Sequence, residues 1–114
     1  MGIAHGLVEL GGDIRIIGPH PDDSPWQIGI RHPRDPEHAM AVIPLKSGAL
    51  ASSGDYERYM LIDDKRYSHI LNPRSGRPVD TPMAGVTVVA PLCLLAGTAA
   101  TVAMLHGECD APAW

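Results

Sequence analysis

A histidine and a polar turn follow one another in the stretch RYSHILNPRSGRP, residues 66–78, which is the part of the sequence best suited to chemistry. His69 alternates with Tyr67 in a strand-like run that Asn72 and Pro73 end. A lone histidine in a strand is usually a hydrogen-bonded core side chain. At a strand end beside a polar loop, however, a neutral imidazole can take a proton from a hydroxyl near neutral pH. The context therefore favours His69 as a general base.

The loop after His69 carries two arginines, Arg74 and Arg77, on either side of Ser75 and Gly76. Guanidinium groups bind carboxylates and phosphates through two parallel hydrogen bonds. A base beside such a loop is typical of a site for an anionic substrate. Asp80 is the nearest carboxylate that could orient the imidazole, and the sequence alone leaves that contact open.

Two glycine-containing segments are weaker signals for a binding site. Gly11 and Gly12 in LGGDIR allow a positive φ or the close approach of a ligand, and a structural bulge or tight bend is the favoured interpretation. The segment ASSGDYERY places small hydroxyl residues and Gly54 at a strand end, where backbone amides can face a phosphate. An ordinary turn is the favoured interpretation there.

Small residues fill the stretch LAGTAATVAML, in which Gly97 and Thr101 are four residues apart and share one helix face. A glycine inside a helix costs about 1 kcal/mol relative to alanine. The favoured explanation is a neighbouring element that packs closely against this face. The other is that Thr101 presents its hydroxyl to a ligand or a hard cation.

The elements that must position these residues can be predicted from the hydrophobic pattern. LVEL and DIRIIG read as one strand with a bulge or bend at the two glycines, and ERYMLI and RYSHIL read as a hairpin that turns through Asp63 and Asp64. WQIGIRH alternates as a half-buried strand does. Further strands are AMAVIPL, GALASSG and MAGVTVVA. One helix is predicted from Pro91, at its first position, to His106, with Gly107 just past its end.

Six or seven strands followed by one helix predict an α+β fold, in which a mostly antiparallel sheet packs against a C-terminal helix. A single helix leaves a sheet face or two long edges uncovered. Exposed edges pair readily with more chain. We therefore expect the chain to be part of a larger fold, and a homodimer is a second way to cover such an edge.

The composition limits the classes of function. The chain has 114 residues, 45% of them hydrophobic, and a net charge of -4, which fits one globular domain. The sequence argues against nucleic acid as a partner, because binding a phosphate backbone requires clustered lysines and arginines. No apolar stretch reaches the roughly 20 residues that span a bilayer. The six scattered histidines, and Cys93 and Cys109, lack the paired spacing of a zinc site. The compartment stays open.

Six segments, taken in order, resemble one known family. They are LVELGGDIRIIG, WQIGI, ALASSGDYERY, RYSHILNPRSGRPV, GVTVVAP and LLAGTAATVAMLHG. Together they resemble the FAD:protein FMN transferases of the ApbE type, and HILNPRSGRP is the most specific part of the match. The resemblance implies that residues 1–114 are the C-terminal portion of a flavin-transferase domain, without the family's N-terminal half and closing strands.

The resemblance also implies a reaction and the residues that serve it. Enzymes of this type use Mg²⁺, move FMN from FAD to a threonine hydroxyl of a target flavoprotein, and release AMP. By position, His69 corresponds to the proposed catalytic histidine, Leu71 to a residue that touches the flavin nucleotide, and Thr101 to a threonine ligand of the metal. FAD as substrate, Mg²⁺ and a target flavoprotein are therefore the expected cofactors and partners.

One departure from the family pattern leaves two functions open. The family helix has an aspartate four residues before the metal-binding threonine, whereas this chain has Gly97. The first hypothesis is a transferase portion that keeps its catalytic histidine. The second is a non-catalytic flavin- or nucleotide-binding remnant that has lost a metal ligand. Because Mg²⁺ usually relies on one or two carboxylates besides substrate phosphates, we expect weak metal binding and no flavin transfer by this chain alone.

Overall fold

The computed structural model describes residues 2–80 and 83–107. In these ranges the chain forms eight strands and one helix, and every strand pair is antiparallel. The predicted α+β class, with an antiparallel sheet and one C-terminal helix, is confirmed. The elements are β1 (Gly6–Leu10), β2 (Asp13–Gly18), β3 (Trp26–Arg31), β4 (Ala39–Leu45), β5 (Gly48–Gly54), β6 (Tyr59–Ile62), β7 (Lys65–Ser68), β8 (Gly85–Ala90) and α1 (Cys93–His106).

A four-stranded sheet in the order β1-β2-β5-β8 forms the centre, and β3-β4 and β6-β7 are separate two-stranded ribbons. The predicted alternation of β3 is confirmed, since Ile28 and Ile30 are buried while Gln27, Gly29 and Arg31 are exposed. This alternation turns one face of the β3-β4 ribbon toward the sheet.

Strand β5 is buried on both faces at its beginning. Leu50 joins a hydrophobic cluster that links the sheet to the β3-β4 ribbon, and the other buried members of that cluster are Ile16, Ile28 and Ile30. Ala49 and Ala51 have no exposed surface and point the other way, toward α1, which packs on β5 and β8. The sheet is therefore covered by the ribbon on one side and by the helix on the other.

The sequence had indicated one strand with a bulge or bend at the two glycines near the N-terminus. The structure instead has a tight turn there, between two strands. Gly11 and Gly12 both have positive φ angles, 64° and 96°, and connect two separate strands, with Leu10 paired to Asp13. Two consecutive residues with positive φ match the right-handed twist of a tight hairpin. This turn is the reason why the chain has one strand more than predicted.

Helix α1 begins two residues later than predicted. Leu92 is its N-cap residue and has extended backbone angles, φ -136° and ψ 144°, so the helix cannot include Pro91. The C-terminal prediction is confirmed, because Gly107 has a φ of 72° and its N–H donates to the carbonyl of Ala103. The face that packs on the sheet is made of small residues and one methionine: Ala96, Ala100, Ala103 and Met104.

The predicted hairpin between residues 59 and 68 is confirmed, with Asp63 and Asp64 in its turn at positive φ. Its outer strand exposes Met60, Leu61 and Ile62, each more than half accessible. Among the described residues, no helix has the length and apolar character that a membrane crossing requires.

Two neighbouring isoleucines on β2 test the position of the core. Ile16 is 1% exposed and Ile17 is 43% exposed. Replacing Ile16 by alanine should lower the free energy of unfolding by about 2–5 kcal/mol, because the cavity it leaves cannot collapse fully. Ile17→Ala is the matched control and should cost less than about 1 kcal/mol. Urea unfolding followed by circular dichroism gives both values, and equal losses would contradict this placement of the core.

Candidate functional site

A cavity of about 650 Å³ lies where β5 ends and the β1-β2 turn approaches it. Three segments that the sequence singled out separately line this cavity: Gly11 with Gly12, the run 52–54, and His69. They come together because β2 pairs with β5, and because the chain after β7 returns to the end of β5. We call this the substrate cavity, after the role that is proposed for it below.

The β1-β2 turn gives the substrate cavity an open backbone edge. A Cβ atom added to Gly11 or Gly12 would meet no other atom within 4 Å. The glycines are thus required by their positive φ and not by crowding. The carboxylate of Glu9 accepts a hydrogen bond of 2.6 Å from the N–H of Gly12, which fixes the turn. Because neither glycine has a side chain and the space beside them is open, a ligand can contact the backbone of this turn directly.

His69 follows β7 directly and is exposed to the substrate cavity, so it is not a sealed core residue. Its Nδ1 lies 2.9 Å from the carbonyl oxygen of Arg58, and its backbone N–H donates to the same oxygen at 3.3 Å. A carbonyl oxygen can only accept, so Nδ1 is the donor and the lone pair of the neutral ring is on Nε2. Asp80, the orienting residue that the sequence had offered, is not the partner of Nδ1.

The segment that carries the Arg58 carbonyl is held from two directions. Arg34 makes two hydrogen bonds of 2.8 Å to the carboxylate of Asp55, and the backbone N–H of Asp55 donates to Ala84 at 2.9 Å. Arg66 of β7 donates to the Asp55 carbonyl at 3.4 Å and lies over the ring of Tyr59. These contacts fix the backbone that sets the orientation of His69.

Tyr56 is a lining residue that sequence reasoning missed. Its ring lies against the backbone of Gly54 and Gly85, and a Cβ on Gly85 would come within 2.8 Å of it. Burial raises the pKa of the Tyr56 phenol above its usual value, and the charge of Glu57 acts in the same direction. The hydroxyl therefore stays protonated at neutral pH and can donate a hydrogen bond.

The positive charge of the substrate cavity comes from Arg31 and Arg58, not from the two loop arginines. Arg31 forms an exposed ion pair of 2.7 Å with Glu57, which also lines the cavity. Arg74 and Arg77 are exposed in the loop 72–78 and do not line the cavity. The sequence favoured the loop arginines because of their proximity to His69 along the chain.

The loop after His69 is stiffened by its own hydrogen bonds. The side chain of Asn72 accepts from the backbone N–H groups of Arg74 and Ser75 at 2.9 and 3.3 Å. Gly76, at a φ of 66°, donates to the Asn72 carbonyl at 2.8 Å. Leu71, the predicted flavin contact, is 53% exposed and bridges to Pro78, outside the lining of the substrate cavity. Its role stays a prediction.

A second, shallower cavity of about 460 Å³ lies between β2 and α1, and we call it the helix cavity. It is lined by Asp13, Gly97, Thr98 and Thr101, among others. The hydroxyls of Thr101 and Ser53 are 3.1 Å apart, and Ser53 also lines the substrate cavity. This hydrogen bond connects the two cavities.

Oxygen donors of this kind suit a hard cation such as Mg²⁺. The helix itself offers hydroxyls but no carboxylate, since residues 93–106 include no aspartate or glutamate. Within residues 2–80 and 83–107, no group of three or more histidine, cysteine, aspartate or glutamate side chains is placed to hold a metal ion. The hydroxyls of the described helix would therefore supply only part of the oxygen ligands that Mg²⁺ takes.

Comparison with known proteins identifies the protein family of this sheet-and-helix unit. The model of the ApbE family matches residues 1–114. The FAD:protein FMN transferase of Vibrio cholerae is 41% identical over 108 residues, which are 94% of this chain and 32% of that relative. The corresponding protein of Escherichia coli K12 is 36% identical over 107 residues, 93% of this chain and 30% of that relative.

Solved structures agree with the sequence comparison. The crystal structure of the ApbE protein of Thermotoga maritima has a TM-score of 0.83 and 42% identity, covering 96% of this chain and 34% of that one. The flavin transferase ApbE of Vibrio cholerae has a TM-score of 0.78 and 37% identity, covering 96% and 35%. The chain belongs to the ApbE family, and it spans about a third of the length of these relatives.

A substitution at Gly54 tests whether the Tyr56 ring packs against the Gly54 backbone. A Cβ on Gly54 would overlap the Tyr56 ring and come within 2.8 Å of the Ala84 carbonyl oxygen. Gly54→Ala should therefore cost about 1–3 kcal/mol of stability through overpacking. The control is Gly29→Ala, whose Cβ would meet only Ala39 at 3.7 Å and should be neutral or stabilising by up to about 1 kcal/mol. Urea unfolding compares the two, and a loss at Gly29 that matches the loss at Gly54 would refute this seating.

Proposed function

We propose that this chain is a portion of a flavin transferase that moves FMN from FAD to a threonine hydroxyl of a target protein and releases AMP. The observation that carries the proposal is the meeting of His69, the open Gly11–Gly12 backbone and the end of β5 at one cavity. The names of the relatives support it, since both are FAD:protein FMN transferases.

His69 is the general base in this proposal. Its Nε2 takes the proton of the threonine hydroxyl as that oxygen attacks the phosphorus of the FMN half of FAD. A new phosphorus–oxygen bond to threonine forms, the bond from that phosphorus to the bridging oxygen of the diphosphate breaks, and AMP leaves with the bridging oxygen. The Arg58 carbonyl keeps Nδ1 protonated, which directs the free lone pair of the ring to the reaction.

The remaining groups of the substrate cavity position the diphosphate. The exposed backbone at the β1-β2 turn allows phosphate oxygens to come close, and Arg58 provides positive charge, whereas the charge of Arg31 is offset by its ion pair with Glu57. Tyr56, held in its protonated form, is a hydrogen-bond donor at the same cavity. Leu71 is an exposed apolar side chain two residues after His69 and is the proposed contact of the flavin nucleotide.

Thr101 is the proposed ligand of Mg²⁺, together with phosphate oxygens of FAD. A bound ion would supply positive charge that stabilises the diphosphate oxygens. The hydrogen bond between Ser53 and Thr101 orients the threonine hydroxyl and links it to the wall of the substrate cavity. The target protein, with its acceptor threonine, is the second substrate.

Gly97 favours a second candidate function, a flavin- or nucleotide-binding remnant without catalysis. The helix lacks the carboxylate that the family resemblance leads us to expect, and a cation held mainly by hydroxyls binds weakly. In that case FAD binds at the substrate cavity and is released unchanged. The two functions are distinguished by AMP release.

A chimera tests the catalytic role of His69. Residues 1–114 replace the matching segment of the Vibrio cholerae relative, and the product is assayed with FAD, Mg²⁺ and a threonine-containing acceptor protein. We expect covalent flavinylation with AMP release, and a loss of about 100- to 10,000-fold with His69→Asn, since the base is then absent.

Glu37→Gln, in an exposed loop outside both cavities, is the control for the chimera and should leave the rate unchanged. The 114-residue chain alone should release no AMP. A chimera that binds FAD but never transfers FMN would favour the remnant. Transfer that survives His69→Asn at the full rate would contradict the role of His69.

A further inference from the structure

The helix cavity contains one carboxylate although α1 provides none. Asp13, the first residue of β2, lines it from the sheet side, while Gly97 and Thr101 line it from the helix. A Cβ atom built on Gly97 would lie 3.8 Å from Oδ2 of Asp13. The Asp13 carboxylate thus lies beside the space that a longer side chain at position 97 would enter.

Space alone does not require glycine at position 97. The closest neighbours of an added Cβ are Asp13 at 3.8 Å and Ala51 at 3.9 Å, which are ordinary van der Waals distances. Strand β5 does pack on this helix, as the sequence had favoured, but alanine would also fit at position 97, so the packing does not require glycine there. Because residue 97 has no side chain, the helix cavity is open toward Asp13.

The backbone of Asp13 is fixed and its charge is available. Asp13 pairs with Leu10 directly after the two-glycine turn, so its position is set by a tight hairpin. Within the described part of the chain, the ion pairs involve other residues and none includes Asp13. An exposed carboxylate held on a rigid strand is a suitable ligand for a hard divalent cation.

We propose that Asp13 supplies the carboxylate that helix α1 lacks, so that a divalent cation binds between Asp13 on β2 and the hydroxyl of Thr101 on α1. The assignment rests on the proposed function, because diphosphate oxygens of the substrate complete the coordination. In this arrangement a carboxylate on the facing strand serves in place of one on the helix, and the cavity has a negative charge. The ligands are all oxygen atoms, which suits Mg²⁺ or Mn²⁺.

Exchange of the carboxylate between the two positions tests this inference on the 114-residue chain. Mn²⁺ serves as the probe, and its binding is measured from the electron paramagnetic resonance signal of the free ion, with ADP present as the diphosphate. Since even outer partners of metal ligands are worth about 10- to 100-fold in affinity, Asp13→Asn should weaken binding by at least about tenfold. Gly97→Asp should strengthen it, and Asp13→Asn with Gly97→Asp should return it close to the original value.

Glu37→Gln removes one exposed carboxylate elsewhere and should not change Mn²⁺ binding. Thermal unfolding by circular dichroism verifies that each variant is folded. Binding that is unaffected by Asp13→Asn, or a chain that binds no Mn²⁺ with ADP, overturns the assignment. The measurement involves no flavin transfer, so a chimera that transfers FMN while Asp13→Asn has no effect on Mn²⁺ would refute this inference alone.

Discussion

The hydrogen bond from Nδ1 of His69 to the carbonyl of Arg58 is the interaction on which the proposed chemistry of this site depends. It decides which ring nitrogen is free, and it fixes the plane of an imidazole that is otherwise exposed. The carbonyl belongs to a segment that is tied to the loop before β4 through Arg34 and to β7 through Arg66. Local order in a part of the chain without regular structure thus sets the orientation of the His69 ring.

Strand β5 connects the surroundings of His69, the proposed base, to the rest of the site. Its first half is buried between the β3-β4 ribbon and the helix, which makes it the most constrained strand of the sheet. Its second half carries Ser52, Ser53 and Gly54 into the substrate cavity, and Ser53 reaches Thr101 on the helix. A rigid core strand therefore positions two cavities at once, as functional groups on a fixed scaffold require.

Local features were predictable from the sequence. The β6-β7 hairpin, the alternation of β3 and the helix end at Gly107 are each set by residues close together in the chain, and all three were correct. The prediction of a single strand with a bulge or bend at Gly11 and Gly12 was wrong because a bulge and a tight hairpin both favour such glycines, and only the pairing of β1 with β2 distinguishes the two. The predicted start of helix α1 was wrong because a proline also fits the position before the N-cap residue, where Pro91 lies.

The composition of the site was less predictable, because it depends on long-range contacts. His69 was found from its polar loop, yet its partner is a backbone carbonyl, which any residue type can provide. Tyr56 gave no local signal, since its place depends on the distant Gly85. Asp13 stood out only as the neighbour of two glycines, and nothing near it in the sequence indicated that it faces Gly97. The loop arginines gave a strong local signal and lie outside the substrate cavity.

The most direct test of the account is the ¹⁵N spectrum of the His69 ring in the 114-residue chain, assigned with His69→Asn and followed during titration with FAD. The account predicts that the neutral ring carries its proton on Nδ1, and that the Nε2 resonance moves as FAD occupies the substrate cavity. A proton on Nε2 in the free chain, or ring resonances that FAD leaves unchanged at saturation, would contradict it.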